Sequence, residues 1–133
     1  MKFLLCVCLV AVVEITALTE DQTHKLNKIS TQCRSQSGVT DEVILNARNG
    51  VFADDPKLKK QILCVAKNVA LVTEAGEVDV GNLKRKVKKV ATNDEEADSI
   101  VNKCVVEKDT VEDTTFEIVK CVLKEKPAFS PVD

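Results

Sequence analysis

Apolar residues recur along the chain at steps of three and four, the spacing that lines one face of an α-helix, and no stretch keeps up the alternation of a strand. The pattern predicts a first helix over about residues 20–35, with Leu26, Ile29 and Cys33 on one stripe and Gly38 as its terminator. Thr40 is placed to cap a second helix reaching about Asn49, acidic in its first turn and closed by "NG", with Val43, Ile44, Ala47 and Val51 inward. Asp55 and Pro56 announce the third, since aspartate accepts from unpaired helix N–H groups and proline suits the first helical position. From Leu58 to Val72, "LKKQILCVAKNVALV" is apolar most of the way round, which suits the centre of a bundle. "EAGE" at residues 74–77 breaks it.

Asp79 opens a fourth helix striped by Val80, Leu83, Val87, Val90 and Ala91. Thr92, Asn93 and Asp94 supply a turn and cap for a fifth, carrying Ala97, Ile100, Val101, Cys104 and Val105. "EKDT" separates it from a sixth over about residues 111–124, lined by Phe116, Val119, Val122 and Leu123. The tail "EKPAFSPVD" holds two prolines and cannot extend that helix. The expected fold class is all-α, a compact six-helix bundle.

The opening segment "MKFLLCVCLVAVVEITALT" has another character. Lys2, an apolar run from Phe3 to Val13, and small residues at Thr16, Ala17 and Thr19 follow the order of a secretory signal peptide. The run is too short to span a bilayer. Residues 1–19 are therefore expected to be a leader cut after Ala17 or Thr19, and residues 20–133 a single domain, soluble and extracellular, without stable membrane insertion.

Without the leader about 115 residues remain, enough for one modest core. The leader carries one lysine and one glutamate, so the net charge of −2 stays with the domain, and it argues against a nucleic-acid partner, which demands a basic face. Tryptophan and tyrosine are absent, and Phe52, Phe116 and Phe129 are the aromatic residues left. The interior has to be aliphatic.

Cys6 and Cys8 leave with the leader, so Cys33, Cys64, Cys104 and Cys121 remain. In an oxidising compartment four thiols are most simply two disulfides, and the sequence permits three pairings. Joining neighbours closes shorter loops and crossed pairs longer ones, each cross-link contributing about 3 kcal/mol or more by chain entropy, which does not choose between them. A zinc site would need closely spaced ligands, and the chain offers one histidine, His24, and no Cys-x2-Cys. With His24 as the sole imidazole, no convincing nucleophile, base and acid set emerges. The reading is a protein that is not an enzyme, with no cofactor and no metal.

These cysteines carry a resemblance. In the six-cysteine form of insect odorant-binding and pheromone-binding proteins, the second and third cysteines are spaced Cys-x3-Cys and the fifth and sixth Cys-x8-Cys. Here Lys60 stands where the second would be, ahead of Cys64, and Glu112 where the fifth would be, ahead of Cys121. The two missing residues are partners in the family, so their joint loss leaves no odd thiol. Together with the leader, the helix order, "DDPKLKKQILCVAKN" and "KCVVEKDT", the chain resembles the four-cysteine "minus-C" branch, to which beetle haemolymph and accessory-gland carriers belong. The resemblance implies a bundle around a cavity, disulfides Cys33–Cys64 and Cys104–Cys121, and residence in sensillum lymph, haemolymph or a glandular secretion.

The function so implied is carriage of small hydrophobic ligands, such as odorants, pheromones, fatty acids or related aliphatic lipids, through aqueous fluid. Water leaving apolar ligand surface would supply most of the affinity. Candidates for the lining are Phe52, Leu63, Ala66, Val69, Ala70, Leu83, Val87, Ile100, Val105, Phe116, Val119 and Leu123. A solid core would use the same positions, so the alternative is a secreted structural or interaction protein without a ligand. A membrane receptor and a second copy of the chain are the macromolecular partners left open. His24 reads as a surface residue before a pH switch, and "LKRKVKK" at 83–89 as a solvated face, because "NDEEAD" follows directly. Phe129 is a candidate to fold over a cavity mouth.

Overall fold

The computed structural model describes residues 19–132, so the expected leader lies outside the described residues except for Thr19. Six helices follow in order: α1 Glu20–Ser37, α2 Asp41–Arg48, α3 Pro56–Asn68, α4 Val80–Lys88, α5 Asp94–Cys104 and α6 Val111–Glu125. Among the described residues the one β feature is an isolated antiparallel bridge between Val72 and Val78.

Side-chain oxygens start every helix. Thr19 and Gln22 form a reciprocal capping box on α1, and Thr40, Asp55, Asp79, Asn93 and Thr110 each accept from a first-turn N–H. Pro56 takes the first position of α3, where no N–H is needed. Gly38 ends α1 in the left-handed region as expected, and the helix itself runs to Ser37, two residues beyond the boundary read from the apolar stripe.

Helix α3 departs most from expectation, ending at Asn68 rather than Val72. Ala70 turns left-handed (φ 61°), the Leu71 N–H reaches back to the Ala66 carbonyl and the Ala70 N–H to that of Lys67. That is a Schellman ending with alanine where glycine usually stands. Asn82 donates to the Ala70 carbonyl at 2.8 Å. Beyond the turn, Leu71 and Val72 are both buried in the core.

Helix α3 packs on both α1 and α6, and α5 on both α4 and α6. Two apolar clusters result. The larger joins α4, α5 and α6 through Leu83, Val87, Ala97, Ile100, Val101, Ile118 and Val122; the smaller gathers Val39, Ala47, Leu58 and Phe116. Val51 and Val80, expected to face inward, are 61% and 44% exposed, because each lies at the turn that begins or ends its helix. Cys33–Cys64 ties α1 to α3, and Cys104–Cys121 ties α5 to α6.

Candidate functional site

Between the two clusters lies a cavity of about 310 Å³. Helix α3 forms its floor through Leu58, Gln61, Ile62, Val65 and Ala66. Thr23, Leu26 and Ser30 of α1 face it, as do Ile44, Ala47 and Arg48 of α2 and Val119 and Leu123 of α6. Phe52, Leu71 and the tail residues Pro127, Phe129 and Pro131 complete the wall.

The tail is fixed in place. Phe129 and Val132 are buried, the Phe129 N–H bonds the Lys126 carbonyl, and Lys126 pairs with Glu96 on α5. Phe129 therefore belongs to the larger cluster and to the cavity wall together.

Polar groups on the wall are few. Gln61 is 3% exposed, and both ends of its amide are engaged: Nε2 donates to the Ser30 carbonyl and hydroxyl, and Oε1 accepts from the Ser37 hydroxyl at 2.8 Å. A buried amide without such partners would cost about 1–3 kcal/mol. The network also ties α1 to α3 beside the Cys33–Cys64 bridge. Arg48, the last residue of α2, donates from Nη1 to Asn27 Oδ1 at 2.9 Å, and partial burial lowers its pKa from the ordinary arginine value.

Of the twelve residues expected to line a cavity, Phe52, Ala66, Val119 and Leu123 face this one. Phe116 stands directly behind Phe52, inside the smaller cluster. Leu83, Val87 and Ile100 are enclosed where α4, α5 and α6 meet, and Val105 packs on that cluster, so their stripes contact one another and leave no space. Leu63 borders an outer cleft with Lys60 and Glu112, and Val69 and Ala70 border another between α1 and α4. They lie away from the cavity because α3 turns its other face toward it and ends before them. Sequence reasoning missed the α1 and α2 walls, Gln61 and the tail prolines. Gln61, three residues after Leu58 and four before Val65 on one helical face, was the readable signal.

His24 is exposed on α1. In the basic run, Lys84 pairs with Asp98 and Lys88 with Asp94, so these two charges meet α5, while Arg85 donates to Asn82 Oδ1 on its own helix. Among the described residues no cluster of three or more His, Cys, Asp or Glu is placed to hold a metal, and no helix is long and apolar enough to cross a membrane.

Helices, cross-links and an apolar enclosure of this kind define a small helical binding protein, and comparison with known proteins gives the family. The profile of the PBP/GOBP family matches residues 16–125, and the chain belongs to that family. It is 46% identical over 121 residues to the B1 protein of Tenebrio molitor, covering 91% of this chain and 93% of that one. Among solved structures it is similar to the THP12 carrier protein of the yellow meal worm, at 35% identity and a TM-score of 0.58 over 70% of this chain and 86% of that one. Odorant binding protein 4 of Chrysopa pallens shares the fold, with a TM-score of 0.66 and 22% identity over 88% of this chain and all of that one. The expectation of an all-α, odorant-binding-protein-like bundle with two disulfides is met.

Proposed function

We propose that the protein is a secreted carrier that takes small aliphatic molecules into the cavity between its two apolar clusters and moves them through aqueous fluid. The observation that carries this reading is the cavity itself: about 310 Å³ lined by α1, α2, α3, α6 and the tail, with aliphatic side chains predominating on its wall. A wall this poor in polar groups holds water weakly, so an apolar guest that covers it releases that water and gains affinity. The similarity to the THP12 carrier supports the same reading, and the leader-like order of charged, apolar and small residues over 1–19 favours export.

Affinity comes from water released by the ligand chain, about 0.8 kcal/mol for each methylene buried. The guest has no need of a reacting group. The test is displacement of a bound fluorescent naphthylamine by straight-chain alcohols of increasing length. Each added methylene should tighten binding about fourfold until the cavity fills. Absence of displacement by every alcohol in the series would remove the carrier reading.

A further inference from the structure

Among the described residues Arg48 is the one charged side chain on the cavity wall. Elsewhere on the elements that form the wall, Arg34 is matched to Asp41, Lys59 to Asp54 and Asp113, and Lys126 to Glu96. Arg48 differs. Its hydrogen bond goes to the neutral amide of Asn27, and among the described residues no carboxylate lies within ion-pairing distance of it.

We propose that Arg48 anchors the head group of a carboxylated guest, so that the cavity selects straight-chain monocarboxylates over uncharged chains of the same length. This rests on the carrier reading above. The guanidinium presents five N–H donors in a planar fork, Asn27 takes one, and a carboxylate accepts two side by side. The C-terminal end of α2 favours a cation at this position, which explains a positive charge but not its place on a cavity wall with only an amide for company. The alternative polar spot is closed, because the Gln61 amide is engaged at both ends by Ser30 and Ser37. Thr23, one helical turn before Asn27 on α1, brings a hydroxyl to the same wall. A cavity of about 310 Å³ holds about ten water-sized groups, so the fitting chains have about eight to twelve carbons.

The experiment is displacement of an uncharged naphthylamine probe by decanoate, 1-decanol and methyl decanoate, using the whole protein, Arg48→Gln and Arg48→Lys. In the wild-type protein decanoate should bind about five- to tenfold more tightly than 1-decanol, a span set by a charge-assisted hydrogen bond at a partly exposed site. Arg48→Gln should bring that ratio close to one, and Arg48→Lys should keep part of it, since a point charge attracts the carboxylate without the bidentate fit. A wild-type ratio of one or less, or a ratio unchanged in Arg48→Gln, overturns the anchor and leaves the carrier reading standing. Failure of decanoate and both uncharged ligands to displace the probe overturns the two together.

Discussion

Phe52 and Phe116 meet edge to face, ring centroids 5.8 Å apart and planes at 88°. Phe52 lies on the cavity wall in the loop between α2 and α3, whereas Phe116 is buried on α6 behind it, with Lys59 Nζ 5.4 Å from its ring. Lys59 reaches Asp54 of that loop and Asp113 of α6, so one lysine and one ring pair hold the same wall. Phe116→Ala should destabilise the protein by about 3–5 kcal/mol, as expected for emptying a buried aromatic site. Phe52→Ala should cost less, because Phe52 is only half-buried, and should shift the best alcohol to a longer chain. Urea unfolding of both variants and the alcohol series on Phe52→Ala check this.

Helices α2 and α3 end in the same motif, with Gly50 (φ 91°) in one and Ala70 (φ 61°) in the other. The left-handed region disfavours any side chain bearing Cβ, and glycine recovers that strain while losing more chain entropy on folding. Ala70→Gly should therefore raise stability by about 0.5–1 kcal/mol. A Cβ at Gly50 would meet open space, so Gly50→Ala isolates the backbone effect and should cost about 1 kcal/mol. Denaturant midpoints of the pair should move in opposite directions.

The two disulfides close loops of different length around different parts of the bundle, with sequence separations of 31 and 17. Replacing either pair by serine should cost about 3 kcal/mol, slightly more for Cys33–Cys64. Binding should separate them. Cys33–Cys64 holds α1 over the cavity floor, whereas Cys104 is buried in the larger cluster away from it. The double serine variant at 33 and 64 should lose alcohol affinity at a temperature where the variant at 104 and 121 keeps it.

Asp113, Glu96 and Glu125 have their pKa values lowered, first by hydrogen bonds from Lys59, Lys126 and Lys103 respectively. A carboxylate depressed in the folded state stabilises above its unfolded value and loses that contribution as pH falls through the folded one. Lys59 and Lys84 are raised by their aspartate partners, so their contribution is complete below the ordinary lysine range and is lost only at still higher pH. The urea midpoint should be level near neutrality and fall below about pH 4.5. Lys126→Met should flatten part of that acid slope. A midpoint that rose on acidification would contradict the pairing.

Helix starts were legible because each rests on a local hydrogen bond from a residue of recognisable type: Thr40, Asp55, Asp79 and Asn93 announce themselves. The end of α3 was not, because Ala70 occupies a position where glycine usually stands and so carries no recognisable stop signal. The cavity was legible only in part for a related reason. Apolar spacing marks which face turns inward but not whether the opposite face fills the space. Leu83 and Val87 meet α5 and are enclosed, while Leu58 and Ala66, on a helix just as apolar, face a gap that only the packing of α1, α2 and the tail creates.

The most direct test is a titration of methyl-labelled protein with 1-decanol, followed by the methyl spectrum. Shifts should appear at Leu58, Ala66, Leu71 and Leu123 on the cavity wall, with Val101 in the larger cluster unmoved. A spectrum that does not change, or shifts confined to Val69 and Ala70 on the outer cleft, would contradict a guest held between the two clusters.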